Sequence, residues 1–408
     1  MKRIIVANAR YWLDALNARV EDDLLPEADI RSVARALEAA ITVPEAWDLT
    51  RALALAVHPH MERRGYWTDW DGFLRVLAAH ARQRAGATAE AELLARRGVI
   101  QRQRGAYQAA AASYRRAWWL WRWTGGQLGL AQTLSNLGDL YRLQGRFRRA
   151  EILCQQAVAL FGVLEDTARL AYAENHLALV YFDQGRYAEA LPHLTRSKTL
   201  WQETGNRHGL AKTLQNLGEL YRCTGDLGLA MAFFRQAIHH YRAVGDEIHV
   251  ARTQLNVGNV YLRQPDLLRA AEAYSQAESV LKRAGDSLDL ARARHNLGMV
   301  YTRLEDWSEA EACFERALEG WRNRGDAWNL ANTLGEFAEL HLTCGRWTRA
   351  QTCLDEAWEL VAERQEAPYE PLRRELAERR QKLRRLTGLE WPEDEVGPGD
   401  NPRPTPSP

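Results

Sequence analysis

Two histidines flank a proline at His58-Pro59-His60, two more are adjacent at His239-His240, and five cysteines lie between Cys154 and Cys353. These are the side chains that could hold a metal or attack a substrate, and their spacing suits neither task. Residues two apart do not share a helix face. Pro59 favours a turn there, so His58 and His60 read as surface histidines, and the adjacent pair fails in the same way. Cys154 and Cys313 fall where a small buried hydrophobe serves, while Cys344 and Cys353 have no metal-ligand spacing with any histidine, so reduced structural thiols are expected. No phosphate-cradling Gly-x-x-x-x-Gly-Lys-Ser/Thr loop, zinc-binding His-Glu-x-x-His or nucleophilic Gly-x-Ser-x-Gly occurs. Neither catalysis nor a cofactor or metal is expected.

What the chain does carry is a period. Asn136-Leu137-Gly138-Asp139-Leu140-Tyr141 returns at Asn216, Asn256 and Asn296 with a stride of 40, and more loosely at Leu177 to Tyr181. Such a period marks stacked supersecondary units. One column is small throughout: Gly98, Gly138, Ala178, Gly218, Gly258, Gly298, Ala338. A second is alanine from Ala110 to Ala350, and a third holds Ala117, Ala157, Ser197, Ala237, Ala277, Ala317 and Ala357. Small residues let two helices approach, and Leu217, Tyr221, Leu227 and Phe233 fill the gaps around them at helical spacing. Gly105, Gly145, Gly185, Gly225 and Gly345 end the first helix of each unit, and Gly-Asp or Gly-Asn turns such as Gly205-Asn206 and Gly245-Asp246 end the second.

This pattern resembles the tetratricopeptide repeat in a 40-residue form. Leu217-Gly218, Tyr221, Ala230, Phe234 and Ala237 match the family order, and its closing proline is missing because the second helix runs on to the Gly-Asp turn. The stretch from Tyr11 to Arg82 is similar to the helical lead-in of such arrays at the C-terminal end of bacterial signal-transduction ATPases and related transcriptional activators. The expected organisation is an N-terminal cap over 1–49, a degenerate unit over 50–89, seven units over 90–361, a charged capping helix over 362–388 and a disordered acidic and Pro-rich tail over 389–408. Gly65 and Ala85-Gly86 continue the turn register upstream.

The resemblance implies an all-α superhelical solenoid of antiparallel helix pairs whose first (A) helices line a concave groove. Carried onto this chain, the lining positions include Arg142, Tyr172, Asn175, Phe182, Asp183, Lys212, Gln215 and Arg222, then Arg252, Asn259, Arg263, Arg292, His295 and Arg303. A groove so rich in arginine and amides implies a protein or peptide partner, an acidic one, because guanidinium forks pair with carboxylates and amides bond an extended backbone. The other readings are a peptide-responsive receptor and nucleic-acid binding through the basic helix from Pro371 to Leu386.

Composition fits a binding protein. The formal net charge is +1 over 408 residues, which gives no global pull toward nucleic acid or an anionic membrane. No apolar run is long enough to span a bilayer, and Ile4-Ile5-Val6-Ala7 is too short for a signal-peptide core, so a cytoplasmic location is expected. Fifteen tryptophans are many for this length. Trp121, Trp201 and Trp321 share a packing column with Phe161 and Tyr241. Trp118, Trp119, Trp121 and Trp123 cannot all face inward on one helix, so one or two form an exposed patch, a candidate second interface or homodimer contact.

Overall fold

A computed structural model describes residues 1–19, 25–63, 66–84, 86–364 and 369–388. They form nineteen α-helices and a short 3-10 turn, with no strand among the described residues. Gly65, Ala85 and the tail from 389 onward lie outside the described residues. The chain falls into two compact units, Met1–Asp246 and Glu247–Pro408. In the first, α1 (Lys2–Asn17), α2 (Glu27–Ala40), α3 (Trp47–Arg63) and α4 (Trp67–Arg84) precede four A/B pairs. These are α5/α6 (Ala87–Gln103, Tyr107–Thr124), α7/α8 (Gln127–Leu143, Phe147–Val163), α9/α10 (Thr167–Asp183, Tyr187–Thr204) and α11/α12 (Arg207–Thr224, Leu227–Ala243). The second unit holds α13/α14 (Glu247–Arg263, Leu267–Ala284), α15/α16 (Ser287–Arg303, Trp307–Arg324), α17/α18 (Ala327–Thr343, Trp347–Val361) and α19 (Tyr369–Thr387).

In four of the seven pairs a glycine lies against an aromatic ring sixteen positions later. A Cβ added to Gly98, Gly218, Gly258 or Gly298 would sit 2.4 to 2.7 Å from the ring of Tyr114, Phe234, Tyr274 or Phe314. At Gly138 it would meet the Cys154 sulfur at 2.5 Å. Where the small residue is Ala178 or Ala338, the opposite position holds Leu194 or Leu354, which is slimmer than an aromatic ring. The two columns vary together because they fill one volume.

The turns are set by two devices. Gly105, Gly145, Gly185, Gly225 and Gly345 take positive φ, as their spacing predicts. Glu165 and Glu305 adopt the same left-handed conformation without being glycine, at φ of 54° and 61°. The residue after the glycine does more than turn. Asn206, Asp226, Asp286 and Asp326 accept from the backbone N–H three residues on and so cap the next helix.

Within the first unit the A helices of neighbouring repeats also touch one another, α3 with α5, α5 with α7, α7 with α9 and α9 with α11. They therefore form its inner layer. In the second unit α13, α15 and α17 do the same, and α19 packs on both α17 and α18 as the next A helix would. Leu372, Leu376 and Leu383 are buried there. Gly335 makes room, since a Cβ would lie 2.6 Å from Arg379. Arg379 pairs with Glu336, Arg380 with Asp355 and Lys382 with Glu339, so much of the helix's positive charge is used internally.

One expectation is corrected at the N-terminal end. Pro59 lies inside α3 and not in a turn, and His58 is a core residue whose Nδ1 accepts from Trp70 Nε1 at 3.0 Å. Burial of the α3 face against Trp70, Leu74 and Leu77 outweighs the backbone bond that the proline forfeits. No helix among the described residues is long and apolar enough to cross a membrane.

The glycine contact predicts a compensating pair. Gly218→Ala forces a methyl against Phe234 and should lower stability to urea by about 1–3 kcal/mol. Adding Phe234→Leu, which copies the natural Ala178 and Leu194 pair, should cost less than the two single changes summed, as read in a double-mutant cycle.

Candidate functional site

The A-helix residues off the packed side make up two inner faces, one in each unit. In the first unit the centre is Asp139 on α7, buried and held by Arg102 of α5 at 3.0 Å and by Arg142 at 2.8 Å. Arg142 also reaches Asp183 of α9, so the carboxylates and guanidiniums alternate across three repeats. Burial alone would raise the Asp139 pKa, but Arg142 and Arg102 outweigh it and hold the group below the usual carboxylate range. Ser135 Oγ meets His176 Nδ1 at 2.9 Å, and burial lowers that imidazole to about 4.

Beyond this cluster the wall becomes neutral and aromatic. Asn216 Nδ2 donates to Asn175 Oδ1 at 2.8 Å, which leaves the buried Asn175 Nδ2 without an acceptor. Gln215 Oε1 accepts from the Tyr241 hydroxyl at 3.2 Å. Tyr172 packs edge-on to Trp201, with ring centroids 4.7 Å apart, and Phe182 does the same with Tyr187 at 5.4 Å. Lys212 is half-buried with no hydrogen bond or ion pair among the described residues, and burial lowers its pKa despite the pull of Asp139. Arg222 is bound to Glu219 at 2.8 Å.

In the second unit Arg252 bridges Asp286 at 2.8 Å and Asp289 at 2.6 Å, and Arg292 joins Asp289 at 3.1 Å. Asn259 Oδ1 accepts from the Tyr274 hydroxyl at 2.6 Å, and His295 Nδ1 meets Thr333 Oγ1 at 3.0 Å. Arg263 and Arg303 are exposed. Arg142, Arg222, Arg252 and Arg292 thus lie on carboxylates of the chain itself. The predicted positions share these faces, yet the basic character expected of them is largely neutralised within each unit.

The asparagine that opens the repeated phrase was not among the predicted lining residues. Asn136, Asn216, Asn256 and Asn296 are half-buried on the inner faces, and Asn136, Asn256 and Asn296 make no side-chain hydrogen bond among the described residues. Their recurrence every 40 residues was the available signal, since a buried packing role would have favoured an apolar residue.

All five cysteines are free, and burial pushes the Cys353 thiol up to about 11, away from reactivity. Profiles of the tetratricopeptide repeat match residues 130–161, 167–243 and 249–323. The matched residues are tetratricopeptide repeats. No curated protein sequence matches it. Its fold is shared with the Rap protein complexed with competence and sporulation factor, at TM-score 0.60 and 15% identity over 93% of this chain and 100% of that one. A signal-transduction ATPase with a tetratricopeptide repeat sensor from Pyrococcus horikoshii aligns at TM-score 0.64 and 13% identity, over 92% of this chain and 55% of that one. The apo quorum sensor NprR from B. thuringiensis aligns at TM-score 0.57 and 14% identity, over 88% of this chain and 99% of that one. This repeat protein therefore spans about half the length of the archaeal ATPase.

The buried histidines give the pH dependence a sign. Burial lowers His58 to about 3 and His176 and His295 to about 4, so all three are neutral when folded. The unfolded chain, with histidines near 6.5, takes up protons that the folded chain refuses, so stability falls as pH drops from about 6.5 toward 4. Asp139 adds nothing to that loss, because its folded value is depressed and its contribution is lost only below the usual carboxylate range. The urea midpoint should fall between pH 7 and pH 4.5, and fall less in His58→Gln. A midpoint flat across that window contradicts the assignment.

Proposed function

We propose that this protein is a non-catalytic scaffold or adaptor that holds an extended segment of a partner protein, or a free peptide, along the A-helix face. The observation that carries this is the recurring asparagine amide. An amide offers both a donor and an acceptor to a peptide backbone. Packed helices lie about 8–10 Å apart, close to the length of three extended residues. In the second unit, where Asn256 and Asn296 stand on successive A helices, the two amides can therefore meet the partner's backbone about three residues apart.

The acidic character expected of the partner rests on fewer groups than the sequence suggests. With Arg142 and Arg222 already paired, support in the first unit comes from Lys212, which has no ion pair among the described residues. A single cation suits one carboxylate better than a long acidic run. A second reading, a receptor that tightens around a short signalling peptide, is favoured by the fold shared with the Rap protein complexed with competence and sporulation factor and with the quorum sensor NprR.

The test is capture of a partner from lysate by the full chain, compared with a triple variant Asn136→Ala, Asn216→Ala, Lys212→Glu whose helical circular dichroism is intact. Capture should be lost. Unchanged capture by the folded variant overturns the assignment of the A-helix face. Peptide addition that lowers the radius of gyration in small-angle scattering selects the receptor reading, and an unchanged radius selects the rigid scaffold.

A further inference from the structure

The outer face of the first unit carries a feature that the A-helix site does not use. On α6, Trp123 is 71% exposed and Trp119 is 56% exposed, with their rings stacked at a centroid distance of 6.4 Å and an interplanar angle of 16°. The other two indoles of this helix are accounted for. Trp121 fills the space over Gly126 and Gly129, and Trp118 lies beneath the Arg122 guanidinium at 5.1 Å. Trp119 and Trp123 stack on each other, and each is more than half exposed. Two large rings left in water on a rigid helix cost solvation with no return to the fold, which is the mark of a contact surface.

The repeat register shows what surrounds the pair. One repeat earlier, on α4, the equivalent positions are Ala79 and Gln83, and one repeat later, on α8, they are Ala159 and Val163. All four are exposed, and Val163 is bare at 82%. The rings therefore stand between two shallow flanks floored by alanine, with an apolar edge continuing to Val163. Arginine frames this ground. Arg115 and Arg122 lie on α6, and Arg75 and Arg82 occupy the same two columns on α4, all four exposed. The helix that bears the tryptophans has three arginines and no acidic residue. Glu90 on α5 is engaged by Arg116, and Asp71 on α4 by Arg97.

We infer that the Trp119 and Trp123 face is a second docking surface, and that its occupant is a segment of another protein bearing carboxylates beside apolar side chains. The rings and Val163 would take the apolar side chains, and the arginine frame would take the carboxylates in two-point geometry. Charge decides against the homodimer that the exposed indoles suggest. Two copies meeting on this face would set an acid-free, arginine-bearing helix against its own like, which juxtaposes cations with nothing between them. The surface is independent of the A-helix site, because it lies on B helices and uses none of the same side chains.

A random 16-residue peptide display library, selected on the full chain and counter-selected on Trp119→Ser/Trp123→Ser, tests this directly. Counter-selection discards peptides held at the A-helix face, since the variant keeps that face whole. The surviving pool should be enriched in Asp and Glu alongside apolar residues. Binding of its members should weaken at least about tenfold in Trp123→Ser and again in Arg115→Glu/Arg122→Glu. Both changes are at exposed positions, and unaltered thermal melting confirms that the fold is kept. A pool without acidic enrichment, or no pool that depends on the tryptophans, overturns the proposal. So does a dimer mass in light scattering that becomes monomeric in the tryptophan variant. Tryptophan-dependent binding to phosphatidylserine vesicles with no peptide pool also overturns it, in favour of a lipid surface.

Discussion

Much in this protein follows from one steric constraint: in every repeat but the α7/α8 pair, a residue with little or no side chain stands opposite a large one sixteen positions later. Where the ring of Phe234, Tyr274 or Phe314 lies flat on a glycine, even a methyl group would overlap it. The contact fixes the separation and rotation of the two helices. Because their packed sides are thereby determined, so are the sides left over. The inner faces with their amides, tyrosines and ion pairs exist because the glycine column turns the other side of each A helix inward.

The electrostatics of those faces are arranged by the same stacking. Arg102 meets Asp139 across 37 residues of sequence, and Arg142 meets Asp183 across 41. Such pairs tie one repeat to the next and satisfy charges that would otherwise be half-buried and unmatched. The result is a wall that is rich in charged residues yet nearly neutral in effect, with amides as its open hydrogen-bonding groups. On the proposed reading, a partner is selected by its backbone and by a carboxylate, and not by bulk charge. The basic terminal helix follows the same logic, with Arg379, Arg380 and Lys382 turned onto the acids of α17 and α18.

Much of this was legible in the sequence. The glycine, alanine and tyrosine columns repeat because packing leaves no alternative, and the Gly-Asp turns repeat because left-handed backbone and helix caps each favour few residue types. The phase of an α-helix alone required two of the four clustered tryptophans to face water, and Trp119 and Trp123 do. The ion pairs within one helix, Arg142 with Asp139, Arg222 with Glu219 and Arg292 with Asp289, lie three residues apart and were legible. Those between repeats were not, because only the stacking offset brings Asp139 against Arg102 or Asp183 against Arg142. Local rules also fail where tertiary burial outweighs them. Pro59 reads as a turn but is carried inside a helix, and Glu165 and Glu305 occupy positions where glycine would cost less.

The central claim, that helix packing leaves the A-helix face as the binding surface, is tested most directly by site-specific photocrosslinking. With p-benzoylphenylalanine in place of Gln132 on the inner face of α7, the partner captured through the asparagine column should crosslink. With the same group in place of Thr199, exposed on the outer side of α10, it should not. Crosslinking from Thr199 and none from Gln132 would contradict the account.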